Sequence, residues 1–176
     1  AIEGTDMSTS ATVVDYSYLQ HSSVEDVSTL HIQNFYRQWG GGDNWITNVS
    51  LFQFRGTGIE FAGGPCTGNL ASCNLRGDLL RMEHVDMTTD TSVDSNNNPI
   101  YMYKTTCYKV HGLAQSLNIS KSICESANKG IDLYCETSAG NNGEACPSFA
   151  RLYDAEFEDC TTCLNLSDPQ DFEAYC

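Results

Sequence analysis

Basic residues are scarce in this chain: nine Lys and Arg stand against 23 Asp and Glu, a formal net charge of −14. Without a cluster of cations to neutralise phosphates and release their counterions, the composition argues against a nucleic-acid or anionic-membrane surface. From Asp132 onward ten acids face Arg151 alone, so that end would attract cations or basic partners. Long apolar runs are also missing, which excludes a helical membrane span. No charged segment leading into an apolar stretch opens the sequence, and Ala1 therefore reads as a mature N-terminus.

The usual catalytic patterns are absent too. His21, His31, His84 and His111 show no HExxH spacing, and there is neither a G-x-S-x-G elbow nor a phosphate-cradling glycine loop. Acids are so numerous that choosing a glycosidase pair among them would be arbitrary. No catalytic residue is nominated. Cys160 and Cys163 have CxxC spacing, but zinc would need a second ligand pair, and the expected position late in an acidic helix disfavours a reactive thiolate. They read as structural half-cystines.

What the chain does have is cysteine and sequons. Nine cysteines (Cys66, Cys73, Cys107, Cys124, Cys135, Cys146, Cys160, Cys163 and Cys176) accompany three Asn-x-Ser sequons at Asn48, Asn118 and Asn165. Each feature supports the other, and together they point to a secreted, disulfide-bonded extracellular glycoprotein with N-linked glycans. The odd count leaves one thiol free or paired between chains, with Cys176 the natural suspect. Cys66 and Cys73, separated by a short loop, suggest a local bridge; the other pairings are open.

The chain of 176 residues suits a single disulfide-rich domain. Residues 1–10 are expected as an extended arm, 11–110 as mainly strands and 111–176 as mainly helices. Strands are read at Ala11–Leu19, over 27–36 after a short turn, and at Ile46–Phe54, Ile59–Ala62, Leu79–Met87 and Tyr101–Val110, with 27–36 and Ile46–Phe54 as a hairpin-like pair and the last two as another hairpin. If Asn48 is glycosylated, its face is exposed and Val49 and Leu51 point inward. The spacing of Leu113, Leu117, Cys124 and Ala127 predicts a helix over 113–129. A second from Pro147 puts Phe149, Leu152, Tyr153, Phe157, Cys160 and Leu164 on one stripe, and a third short helix presents Phe172 and Tyr175. No internal repeat or low-complexity tract is evident. The expected fold is α+β, an antiparallel β-sheet or sandwich packed against a disulfide-stapled helical C-terminal part.

Three further motifs carry candidate binding chemistry. Arg76-Gly77-Asp78 is an integrin-type tripeptide, but its apolar flanks Leu75, Leu79 and Leu80 place it at the start of a strand and favour chance. Asp90, Ser92, Asp94, Asn96 and Asn98 alternate oxygen groups, yet Ser95 and Tyr101 stand where an EF-hand needs Gly and an acid. That run reads first as an Asn-rich turn, with a weak, irregular calcium site as its alternative; no metal ligand or cofactor is otherwise assigned. Trp39 and Trp45, flanking glycines, would form an aromatic platform for a sugar ring or else pack into the core.

The leading expectation is a structural or interaction role, a self-associating subunit of an extracellular filament, appendage, wall or coat. The strand at Ala11–Leu19 could then complete a neighbour's sheet, although pairing within its own sheet is the commoner arrangement. A secreted carbohydrate-binding or adhesive module acting through Trp39 and Trp45 is the alternative, and a secreted hydrolase of unrecognised type stands third.

Overall fold

The computed structural model describes residues 2–3, 11–63, 77–137, 144–167 and 170–175. It is a parallel β-solenoid. Its strands are β1 (Ile2–Glu3), β2 (Thr12–Asp15), β3 (Ser23–Leu30), β4 (Asn34–Trp39), β5 (Gly41–Phe54), β6 (Thr57–Ala62), β7 (Gly77–Thr89) and β8 (Thr106–His111). They continue with β9 (Ala114–Glu125), β10 (Lys129–Tyr134), β11 (Glu136–Thr137), β12 (Glu144–Ala145), β13 (Ser148–Glu158), β14 (Thr162–Ser167) and β15 (Gln170–Tyr175). The chain alternates between two sheets. One has seven strands in the order β1-β3-β5-β7-β9-β13-β15, and the other has six in the order β14-β10-β8-β6-β4-β2. All pairings in both are parallel.

This overturns the α+β expectation. Strands account for 71% of the described residues and helix for 2%, so among them there is neither an antiparallel sandwich nor a helical C-terminal part. The two expected hairpins are not hairpins: the stretch 27–36 spans the end of β3, which pairs with β5 but in parallel, and the start of β4, which lies in the other sheet, while β7 pairs with β5 and β9 and β8 pairs with β6 and β10. Among the described residues a 3-10 turn at Met102–Lys104 precedes β8. The N-terminal strand is not donated, because β2 lies beside β4 of its own chain with Val14 opposite Tyr36. Of the expected arm, Ile2–Glu3 pair with β3; the rest lies outside the described residues.

The repeat that the sequence hides is a five-residue unit in the longer strands. In β5 the buried side chains are Asn44, Ile46, Val49, Leu51 and Phe54, spaced alternately by two and three. Leu117, Ile119, Ser122, Cys124 and Ala127 repeat the spacing in and after β9. Plain alternation would give steps of two only. The extra residue in each unit turns the chain through the left-handed region, which restores the inward phase. These residues stack in register: His21, Asp43, Leu79 and Ser116 in one row, and Asp26, Asn48, His84, Lys121 and Asp154 in the next. Their φ values lie between 42° and 59°, a region that disfavours most side chains and that Asp, Asn and His enter most readily. The same arithmetic explains the false helices. Inward residues at i, i+2, i+5, i+7 and i+10 mimic the i+3 and i+7 spacing of an amphipathic helix, so Leu117, Cys124 and Ala127 satisfy both patterns.

Like residues stack on like in the interior. Val24, Ile46, Met82, Ile119 and Leu152 form one row of the seven-stranded sheet, and Tyr36, Ile59, Tyr108 and Ile131 form one row of the six-stranded sheet. All nine are buried, and each contributes roughly 1.5–3 kcal/mol of transfer free energy. Between the sheets Cys107 of β8 bridges to Cys124 of β9, with both residues fully buried. Closing a 17-residue separation contributes roughly 3 kcal/mol in the chain-entropy view. Gly58 flanks Cys107 because a Cβ there would meet Met87 Sδ at 2.4 Å and the Cys107 carbonyl oxygen at 2.8 Å. A second bridge, Cys135–Cys146, clips the excursion whose feet are β11 and β12.

Candidate functional site

The two Trp residues expected to share a platform are on different sheets. Trp39 closes β4 in the six-stranded sheet, and Trp45 lies on the outer face of β5 in the seven-stranded sheet. Trp39 therefore leaves the platform, and each ring belongs to a separate constellation.

Around Trp39 the six-stranded sheet builds a polar cluster, in which the buried indole Nε1 itself finds no hydrogen-bond partner among the described residues. Its outward row runs Asp15, Arg37, Glu60, Lys109, Asp132 and Asn165, each opposite the next on the neighbouring strand. Charge alternates along that row. Arg37 reaches Asp15 at 3.7 Å and Glu60 at 3.4 Å, Lys109 Nζ donates to Glu60 at 2.9 Å, and Asn165 Nδ2 donates to Asp132 at 2.6 Å. His111, almost fully buried, lies on the same row as Trp39 with Ala62 between them, and places Nε2 at 3.0 Å from Glu60 and Nδ1 at 2.5 Å from Glu136. Tyr134 stacks on the imidazole with ring centroids 5.1 Å apart, and Trp39 meets it edge-on at 6.4 Å. Burial alone would raise the Glu60 carboxyl, but hydrogen bonds from His111 and Lys109 outweigh it and hold the group down at about 2. A cavity of about 90 Å³ lined by Trp39, Gly63, His111 and Glu136 adjoins the cluster. Both imidazole nitrogens are engaged, so the cluster reads as a clamp between coils.

Around Trp45 the other sheet is open. The row Trp45, Arg81, Asn118 and Arg151 and the row Thr47, Glu83, Ser120 and Tyr153 run side by side across the strands. A groove of about 480 Å³ is lined by Trp45, Thr47, Arg81, Met82, Glu83, Asn118 and Ser120, within the range of small-molecule sites. The Arg81 guanidinium lies 5.5 Å from the Trp45 ring centroid and makes no ion pair or hydrogen bond among the described residues. Glu83 accepts a bond from Lys121 Nζ at 2.7 Å, and that exposed contact lowers its carboxyl pKa. Asn118 Nδ2 has one long contact, 3.4 Å to the Ser116 carbonyl. The groove thus combines an aromatic ring with a free guanidinium, an amide, a carboxylate and hydroxyls. A pyranose needs that mixture, an apolar face to stack on and polar groups for its hydroxyls.

The remaining sequence candidates are scattered. Asn48 is exposed beside buried Val49 and Leu51, and its amide donates to Asp26. Asn165 is half-buried in the charge row. Three of the four histidines, His21, His31 and His84, occupy left-handed turn positions. The run from Asp90 to Asn98, read first as an Asn-rich turn with a calcium site as its alternative, folds as a turn: Asp94 accepts the backbone N–H groups of Asn96 and Asn98, while buried Asp90 takes Arg55 and Ser92. Gly77 and Asp78 begin β7, and Arg76 lies outside the described residues, as do Cys66, Cys73 and Cys176. Cys160 and Cys163, expected as half-cystines, carry free thiols; Cys160 Sγ lies 3.7 Å from Cys124 Sγ, and burial raises its pKa. Sequence reasoning missed Arg81, Glu83, Asn118 and Ser120 as partners of Trp45. The available signal was positional, since each is an outward member of a five-residue unit bounded by left-handed residues, Leu79 and His84 on β7 or Ser116 and Lys121 on β9. Among the described residues no helix is long and apolar enough to cross a membrane. The chain matches no protein-family profile, no curated protein and no solved structure.

Proposed function

We propose that the chain is an extracellular carbohydrate-binding, adhesive module whose ligand sugar lies in the groove on the outer face of the seven-stranded sheet. The observation that carries this reading is the meeting of Trp45 with Arg81, Glu83, Asn118 and Ser120 in one open groove of about 480 Å³. A sugar ring stacks on Trp45 and takes hydrogen bonds from Arg81 and Asn118, with Glu83 as acceptor. Secretion and N-glycosylation belong to the same proposal; two disulfides and three sequons support them. On a glycan array, with every chain secreted under blocked N-glycosylation, Trp45→Ala should lose at least ten-fold in binding and Trp39→Ala should retain it. Equal binding by Trp45→Ala and the parent chain discards the reading.

One observation favours a structural role, as a subunit of a filament, appendage, wall or coat. Leu164 and Leu166 of β14 continue two rows that are buried in earlier coils, yet they are 40% and 37% exposed at the edge of the six-stranded sheet. A further coil would cover them, and an unpaired parallel edge is a template for one. If a second copy provides it, the 176-residue chain sediments as multimers that Leu166→Asp disperses. A monomeric parent chain at micromolar concentration removes this second reading.

A further inference from the structure

The groove that would take a sugar contains a sequon. Asn118, with Ser120 as its hydroxyl residue, stands on the same row as Trp45, with Arg81 between them. Neighbouring strands are about 4.8 Å apart, so the row from Asn118 to Trp45 covers about 10 Å, the reach of a short N-linked core. Asn118 is also the least committed of the three acceptors. Its Nδ2 has a single contact at 3.4 Å, near the limit of a hydrogen bond. The Asn165 amide is held by Asp132 at 2.6 Å and the Asn48 amide by Asp26. Substituting Asn118 Nδ2 therefore disturbs the least, and the groove directs what is attached.

We infer that an N-glycan on Asn118 folds back into the groove, its first N-acetylhexosamine against Arg81 and the next on the Trp45 ring, so that the chain's own sugar occupies the site. The inference rests on the reading of the groove as a sugar site and adds its regulation. The Arg81 guanidinium, without an ion pair or hydrogen bond among the described residues, supplies donors for the N-acetyl carbonyl of the first sugar, and Trp45 supplies the apolar face for the second. A glycosylated chain then binds external sugar weakly, and a chain lacking the Asn118 glycan binds it well.

The test uses the full chain secreted from eukaryotic cells, as the parent and as Asn118→Gln, Ser120→Ala, Asn48→Gln and Asn165→Gln variants. Glycopeptide mass spectrometry reads occupancy, and acrylamide quenching reads Trp45, since Trp39 lies in the other sheet and is unaffected by these changes. Quenching should rise about three-fold in Asn118→Gln and Ser120→Ala and stay level in the other two. Removing the glycan beyond its first sugar should give most of that rise, because the second sugar covers the ring. Unoccupied Asn118 beside an occupied Asn48 or Asn165 overturns the inference, as does an occupied Asn118 whose loss leaves quenching unchanged. Bare asparagines at all three positions overturn it as well and remove the glycoprotein reading with it. The two proposals separate on a glycan array. A parent chain secreted with N-glycosylation blocked, in which Asn118 itself is intact, that exposes Trp45 yet binds no sugar sinks the binding function and keeps the self-occupied groove, whereas equal, Trp45-dependent binding by the glycosylated and unglycosylated parent does the reverse.

Discussion

The outer faces of the two sheets use the same geometry to opposite ends. A parallel solenoid places each outward side chain directly beside its counterpart one coil away, so whatever pattern a row carries becomes a pattern of contacts. In the six-stranded sheet the row from Asp15 to Asn165 alternates in sign and closes on itself, with Glu60 shared among Arg37, Lys109 and His111. In the seven-stranded sheet the row from Trp45 through Arg81 to Asn118 does not alternate, and among the described residues Arg81 has an aromatic face and no ion pair as its neighbour. A self-neutralising row holds coils together. A row that cannot neutralise itself has bonding capacity left for a ligand.

Removing Glu60 tests the difference most severely. Glu60→Ala should cost about 3 kcal/mol in denaturant unfolding, because it strands cations in a largely buried site, while Arg81→Ala should cost under about 0.5 kcal/mol, as exposed substitutions do. Equal losses would erase the contrast. The next effect is acid sensitivity. The Glu60 carboxyl is held at about 2 against an ordinary 4.5, so its contribution is complete above about pH 4.5 and drains as pH falls toward 2. Thermal melts across that window should fall less steeply for Glu60→Gln than for the parent chain, whereas Glu83→Gln should change the slope little, its partner Lys121 being exposed. Third, Trp39→Ala should cost about 2 kcal/mol by unpacking His111 and Arg37, and Trp45→Ala under about 1 kcal/mol, its loss appearing in sugar binding instead. The smallest effect concerns the turn rows common to every coil. Leu79 has φ of 42°, where Asn is better tolerated, so Leu79→Asn should stabilise by a few tenths up to about 1 kcal/mol, read as a shift in the denaturation midpoint.

Several strands were legible in sequence. Ile46–Phe54, Ile59–Ala62 and Leu79–Met87 lie inside β5, β6 and β7, because β-branched and apolar residues in alternation leave little other choice. Leu113–Lys129 and the stretch after Pro147 were misread because a strand interrupted every fifth residue mimics helical spacing. His21, Asp26 and His31, like Asp43, Asn48 and Gln53, stand five apart, and that was the readable sign of the repeat. Of the site, Trp45 and Asn118 were each legible alone, one as an aromatic beside glycines and the other as a sequon. Their adjacency was not.

The sequence by itself determined which residues face inward along each strand, where the chain can turn through the left-handed region, and that acidic charge dominates. Those are properties of neighbours within about five positions. Only the tertiary structure decided that the sheets are parallel, that Cys107 meets Cys124, and that Trp45, Arg81 and Asn118 share a row. Trp45 and Arg81 are 36 residues apart and Arg81 and Asn118 are 37, whereas Ser23 and Trp45 are 22. Unequal excursions between coils remove any fixed period, and the stacking of buried rows sets the register that local spacing leaves open.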